Sequence, residues 1–476
     1  MTQEALWSGL GLVGALHARV SGALARETRG VSIDTRTLAK DDLFFAIKGD
    51  THDGHDFVRL AFEKGAAAAV VDEAHARDLS GVGSLFVVKD VQQALERLGA
   101  HALARSGAYI IAITGSVGKT STKDMMALAF SRFGATHASA ASYNNHWGVP
   151  LTLARLPVAA RFGVFEVGMN HAGEIAALVE QIKPHVAVVT RVAPVHLEHF
   201  SSIEAIADAK AEIFSGVVAG GVAILNRDDE THERLTQAAY ASKAEHVFSF
   251  GADPGADARL VSYETIGETG VVEAVIFGRP LTYRIGAPGR HIAINSLAVL
   301  LSAHVFGLDL AQAAAALADF ESPAGRGQRE RIAIAGGDFT LIDESYNANA
   351  TSMRAALELL AQAAPGGGGR RIAVLGDMLE LGPSAAEIHA DLALDLLRAK
   401  VDVLFSAGPL MARLYYAVPD FMRGAHRATA QELEEVVLAS IRPGDVVMVK
   451  GSNGSRMARI VAAAKNKSGR AVETVS

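Results

Sequence analysis

At 476 residues the chain is too long for one hydrophobic core, and roughly two to four domains are expected. Half its residues are apolar and 20% are charged, as in globular proteins, while a net charge of −7 argues against broad nucleic-acid binding and leaves room for a local anion pocket. With no cysteine it has neither disulfides nor thiolate metal sites; the lack of a membrane-length apolar run, or of a basic start before MTQEALWSGLGLVGAL, adds the expectation of a cytoplasmic protein without a membrane span.

From about 30 to 100, LFFAIKG, AAAAVV and SLFVVKD read as strands. DGHDFVRLAFEKGA reads as a turn entering a helix that ends at Gly65, and VQQALERLGAHALAR as a second helix, so a small α/β domain is expected. From 108 the rhythm becomes buried strand and helix: YIIAIT, GVFEVG, VAVVT and GVAILN are short β-branched runs of the kind found in parallel sheets. VVEAVIFG and LTYRI break that pattern between 253 and 285 and are expected to form an antiparallel excursion. NSLAVLLSAHVFG and LAQAAAALADF follow as helices. ESPAGRGQRE reads as a linker to a third unit of strands FTLIDES, RIAVLG, VDVLFSAG and DVVMVKG, with helices at TSMRAALELLAQAA and around 384–399. That alternation predicts a second parallel α/β sheet. PGGGG is expected to be a surface loop and KNKSGRAVETVS a frayed tail.

The chemistry starts at AITGSVGKTSTKDM. It has the strand, glycine turn and helix of a phosphate loop, but its first glycine, Gly115, falls two residues later than the G-x-x-x-x-G-K-[ST] pattern requires. Backbone N–H groups of Gly115, Ser116, Val117 and Gly118 with the helix N-terminus would cradle an anion. Lys119 would reach the outer phosphates and Thr120 would ligate Mg²⁺, with Ser121 beside them. The plainer reading is a glycine turn with an exposed lysine.

NNHWGVPLTL, FEVGMNHAGEI, APVHLEHF, AKAEIF, PGRHIAIN, LIDESYNAN, VLGDMLELG and VKGS stand in the order found in the Mur ligases of bacterial peptidoglycan synthesis, and the chain resembles that family over nearly its whole length. The compressed phosphate loop is the family's form. Within it, VSIDTRTLAKDDLFFAIKGDTHDGHDF is most similar to the uridine-nucleotide-binding part of the member that joins D-alanyl-D-alanine to UDP-N-acetylmuramoyl-tripeptide, and the D-N-P-R motif of the diaminopimelate-adding member is absent. The resemblance implies three α/β domains: a nucleotide-sugar-binding one at 1–105, a central ATP-binding ligase sheet at 106–321, and a Rossmann-like one at 322–476.

It also implies residue roles. Glu166, at the end of GVFEV, and His196, in APVHLEHF, would ligate Mg²⁺ with Thr120. Lys210, which periodicity alone places on a solvated helix face, would carry a carbamate formed with CO₂ and join the metal site. Asn295 and Arg326 would contact ATP. Ser32, Asp34, Thr35, Arg36, Lys48, Asp53, Gly54 and His55 would bind the uridine nucleotide, although DTR and DGHDF read equally well as ordinary turns. Asn144, Asn145, Asp343, Tyr346, Asn347 and Asn349 would face the reacting substrates. Ala350, Ile292 and Ala458 depart from the family's usual proline, asparagine and glutamate.

The implied reaction is ATP-driven amide formation through an acyl phosphate by a monomer. Another Mur-type ligase, a folylpolyglutamate synthase and a plain phosphate-loop ATPase or kinase are the rivals; more than a hundred residues before Gly115 disfavour the second. The sequence leaves open whether the tripeptide's third residue is diaminopimelate or lysine.

Overall fold

The computed structural model of the chain describes residues 4–140, 142–195 and 198–467. Its principal sheets are three, and each is built from its own stretch of sequence. The first has the order Arg19–Ser21, Leu85–Val88, Ala68–Asp72, Asp42–Phe45, Gly30–Ser32, parallel except for its first edge strand. The second has nine strands. Thr136–Ala138, Phe162–Glu166, Tyr109–Thr114, Val186–Val189, Gly221–Asn226, Ala244–Gly251 and Ala258–Ile266 run parallel, and Thr269–Ile276 and Arg279–Ile285 complete it antiparallel. This is the expected excursion.

The third sheet has the order Gln328–Ile334, Gly337–Glu344, Val446–Lys450, Arg371–Gly376, Val403–Ala407, Arg423–Arg427, parallel but for its first strand. Two expectations change here. The last residues of ESPAGRGQRE open the strand Gln328–Ile334, and Arg423–Arg427 adds a strand that its polar sequence conceals.

The apolar runs form strands because they can bury both faces. Ile110 and Ala112 enter one core while Ile111 and Ile113 enter another, on the opposite side of the sheet. Ala187 and Val189 against Val186 and Val188 repeat the division, as a two-residue side-chain period requires. The first core also takes in Leu43, Phe45, Val70 and Phe86 of the N-terminal sheet, so that sheet and one face of the central sheet share a single apolar interior. Trp7 Nε1 donates to the Ala154 carbonyl at 3.0 Å, and the Arg105 guanidinium covers the Trp7 ring at 3.4 Å.

Helix Val91–Arg105 spans VQQALERLGAHALAR in full. Gly65, at φ +96°, follows helix Val58–Glu63 as expected. Gly134 does not stop helix Lys119–Ser131, which ends at Arg132 in the right-handed region. A Cβ at Gly134 would instead lie 2.7 Å from Arg161 Cδ, so close packing explains this glycine. Residues 468–476 of the expected frayed tail lie outside the described residues. No helix among the described residues is long and apolar enough to cross a membrane.

Candidate active site

Parallel strands that end in register bring their following loops to one edge, where ligands of such sheets bind. Glu166 pairs with Ile113 and Val189 with Thr114, so the phosphate loop, the Glu166 carboxylate and the 190–193 segment meet there. Gly115 has φ +151° and Gly118 φ +85°, conformations that glycine adopts without a Cβ penalty. A Cβ at Gly115 would overlap the Thr190 hydroxyl, and one at Gly118 would lie 2.5 Å from Asn295 Nδ2. The loop is pinned from outside: Thr190 Oγ1 donates to the Val117 carbonyl at 2.6 Å, and Ser116 N–H donates to Arg191 O at 2.7 Å.

Gly118 caps helix Lys119–Ser131 with no side-chain hydrogen bond, leaving the first-turn amides to an anion. Lys119 Nζ folds back onto the Gly115 carbonyl at 2.8 Å. Desolvation lowers its pKa, opposed by Glu166 and aided by Arg326. Thr120 Oγ1 donates to Glu166 Oε2, and Asn144 Nδ2 to Glu166 Oε1, both at 2.8 Å. Glu166 is buried. A hydroxyl and a buried carboxylate in contact form an all-oxygen pair that suits a hard divalent cation.

His196 lies outside the described residues. Lys210 does not occupy a solvated face. On helix Ile203–Ala211 it is buried with Ile206, Ala207 and Ala209. Its pKa is pushed well down by desolvation and by the charge of Lys119, which places the two amines within electrostatic reach.

A cavity of about 750 Å³ opens over this edge. Ser116 to Ser121, Asn144, Asn145, Glu166 and Asn295 form one wall; Arg326, Tyr346, Asn347 and Asn349 of the third unit form the other. Arg326 donates to Ser142 Oγ at 3.0 Å, and its guanidinium lies 4.0 Å from the Tyr346 ring centre. Asn349 spends its side chain on the N-terminus of helix Ala350–Gln362, accepting from Ser352 N–H at 2.8 Å in a capping box.

Asp343, expected among the substrate contacts, supports a loop of the third unit. Its carboxylate accepts from Gly325 N–H at 3.0 Å and from the Ser345 hydroxyl at 2.6 Å. It therefore shapes the Gly325–Gly327 loop that carries Arg326 and is not in the cavity wall. Glu344 and Lys450, unassigned from sequence, line the cavity and pair at 3.1 Å. The visible signal was a charged residue closing each of two apolar strands.

The N-terminal set stands apart from the cavity wall. The Arg36 guanidinium chelates Asp34 at 2.7–3.0 Å, holds that carboxyl below its usual range, and stays largely exposed. Ser32 Oγ donates to the Asp34 carbonyl, and the buried Thr35 gives its carbonyl to Lys64. Gly49, beside Lys48, approaches Trp147, with a Cβ there 3.3 Å from its ring. That approach brings Gly49, with its neighbour Lys48, to Trp147, two residues from Asn145.

His55, expected among the uridine-nucleotide contacts, tethers the turn it belongs to. It is buried, Nδ1–H donates to the Asp53 carboxylate at 2.6 Å, and Nε2 accepts from Asp72 N–H at 3.1 Å. Asp53 is occupied by that bond and by His55 N–H. Gly54 packs on the backbone, where a Cβ would lie 2.6 Å from Ile47 N. These three hold the turn in shape. His75 stacks on His55 at 4.0 Å, and with Asp53 they form the one cluster of metal-ligating side chains found among the described residues. The rings lie within 15° of parallel, so their lone pairs do not converge on an ion.

Three family descriptions match the chain in succession: "Mur ligase family, catalytic domain" over 27–98, "Mur ligase middle domain" over 113–303, and "Mur ligase, glutamate ligase domain" over 325–453. The UDP-N-acetylmuramoyl-tripeptide–D-alanyl-D-alanine ligase of Rickettsia prowazekii is 30% identical over 456 residues, 96% of this chain and 99% of that one. The Escherichia coli enzyme of the same name is 34% identical over 442 residues, 91% and 93% of the two chains. A crystal structure of MurF from Acinetobacter baumannii superposes with a TM-score of 0.82 at 28% identity, covering 98% of this chain and all of that one.

Proposed function

Because the chain belongs to the Mur ligase family, we propose that it joins D-alanyl-D-alanine to UDP-N-acetylmuramoyl-tripeptide with ATP, in cytoplasmic peptidoglycan precursor synthesis. The observation that carries this reading is one chamber walled by the phosphate loop and Glu166 on one side and by Arg326 and Tyr346 on the other. Phosphoryl donor and acceptor can meet there.

The chemistry follows from the substrates. A carboxylate is a poor acyl donor, so its oxygen attacks the γ-phosphorus, the bond to the β-phosphate oxygen breaks, and an acyl phosphate and ADP form. The dipeptide amine then adds to the acyl carbon, loses a proton, and the tetrahedral species expels phosphate as the amide forms. Lys119 and the open amides of its helix neutralise phosphate charge, and Arg326 adds a cation from the facing wall. Thr120 and Glu166 would hold Mg²⁺, which supplies further charge neutralisation on the phosphate oxygens when bound.

Burial favours the neutral form of the Lys210 amine, the form whose nitrogen adds to CO₂ and releases a proton to leave a carbamate. An anion there would suit the cation site that an ammonium opposes. The segments 1–105, 106–321 and 322–476 hold, in turn, the uridine nucleotide, ATP and the closing wall. Arg36 is the exposed cation offered to the diphosphate.

The test is incubation with ATP, Mg²⁺ and UDP-N-acetylmuramoyl-tripeptide containing diaminopimelate or lysine, with and without D-alanyl-D-alanine. ADP release that needs both substrates, with a product heavier by the dipeptide less water, is expected. Phosphate release indifferent to the dipeptide would instead establish an ATPase.

A further inference from the structure

The antiparallel excursion does more than extend the central sheet. Strands Ala258–Ile266 and Thr269–Ile276 form a hairpin in which Thr265 faces Gly270. A Cβ at Gly270 would lie 2.7 Å from Tyr263 Cε2, so the missing side chain makes room for the tyrosine ring. Tyr263 Oη accepts the N–H of Gly289, the residue that opens helix Arg290–Val305. That helix gives Arg290, His291, Ile294 and Asn295 to the cavity.

On its other side the same hydroxyl lies 3.0 Å from Thr265 Oγ1, which in turn lies 3.0 Å from Gln362 Oε1. Gln362 is the last residue of helix Ala350–Gln362, whose opening turns line the facing wall. Each hydroxyl carries one proton. Gly289 N–H donates to Tyr263 Oη, and Thr265 Oγ1 is placed to donate to Tyr263 Oη and to Gln362 Oε1, so its one proton alternates between a partner on each side. Alongside them, Arg329 of the third sheet reaches the Leu359 carbonyl at 3.4 Å and feels the charge of Glu268 at the hairpin turn.

We infer that Tyr263 and Thr265 are positioning residues for the ligation, fixing the nucleotide-side helix against the helix of the opposite wall so that the transfer step finds both in place. This inference rests on the ligase reading and adds to it a coupling element outside the cavity. Transfer between groups on two walls is sensitive to small misplacements, whereas most of the nucleotide cradle, the phosphate loop with Lys119 and Asn295, stands on the central wall.

Thr265→Val and Gln362→Ala should each lower kcat by about three- to tenfold, the range of one hydrogen bond's net contribution. ADP affinity by calorimetry should stay at the wild-type value. Thr265→Ser keeps the hydroxyl and should keep wild-type kcat. The double variant Thr265→Val/Gln362→Ala should be no worse than the poorer single variant, because both remove the same bond. Tyr263→Phe also frees Gly289 and should weaken ADP binding as well. Wild-type kcat in Thr265→Val, independent losses that multiply in the double variant, or equal loss of ADP affinity in Thr265→Val would each overturn the inference. Wild-type protein that fails to consume the dipeptide would overturn the ligase reading instead, so the two failures are distinguishable.

Discussion

Gly115→Ala tests why the phosphate loop is compressed and how it is held. The substitution forces a side chain into φ +151°, a region that costs about 1–3 kcal/mol for a residue other than glycine. Its Cβ also displaces the buried Thr190 hydroxyl, breaking the 2.6 Å bond to the Val117 carbonyl. Leaving that acceptor unpaired adds about 1–3 kcal/mol, for a total of about 2–6 kcal/mol. Thr190→Ala alone should cost only the second part. In the double variant the collision is gone and the hydrogen bond is lost once, so its destabilisation should fall short of the sum of the two singles by about 1–3 kcal/mol. Urea unfolding of the four proteins, with ADP calorimetry to follow the displaced loop, measures this. Single-variant effects that add within about 0.5 kcal/mol, or Gly115→Ala unfolding like wild type, would refute the geometry.

Lys119→Ala should unfold normally yet lose at least about 10²-fold in turnover; a steady-state assay with a circular dichroism control decides it. Lys210→Met and Lys210→Arg should both lose ligation but separate in stability. Methionine removes an amine that burial disfavours as a cation, whereas arginine imposes a cation that cannot deprotonate, so the melting temperature should fall in the order Met, wild type, Arg. An active and stable Lys210→Arg would contradict both the burial argument and the carbamate. His389 is buried, donates from Nδ1 to the Ala385 carbonyl, and accepts at Nε2 from Met378 N–H at 2.9 Å. Burial lowers its pKa, so the neutral ring is the folded form. Its stabilisation is present above the unfolded value of about 6.5 and is lost as pH falls below it. Urea midpoints between about pH 8 and 5.5 should drop toward acid, and His389→Gln should flatten that drop.

The sequence exposed the parallel strands because burial on both faces leaves an unbroken apolar run, as in Ile110 to Ile113. It exposed the phosphate loop because two glycines and a lysine must stand at fixed spacing. Periodicity alone put Lys210 on a solvated face by counting its charge and not its place: it follows Ile206 by four residues on the buried stripe, a position where a lysine is itself a signal. The strand Gln328–Ile334 was hidden behind Gly325 and Gly327, which read as linker but have φ +77° and +98° and turn the chain around Asp343. His55 and Asp343 were legible as polar residues in motifs, but their partners, Asp72 N–H and Gly325 N–H, are fixed only by the folded chain. The pairings of Tyr263 and Gln362 join residues too far apart in sequence for any local pattern to show.

The apolar interior shared by the N-terminal and central sheets has a consequence for biosynthesis. Trp7, Phe45 and Phe86 lie in the same cluster as Val149, Phe214 and Ala239, so the first sheet leaves the ribosome before its lining exists. At ~5–20 residues per second, the roughly 130 residues that complete this interior take about 7–27 s to appear. During that interval the nascent chain presents an unfinished apolar face to solvent. A fragment released at about residue 105 should therefore aggregate or recruit chaperones, whereas one extended past residue 239 should not.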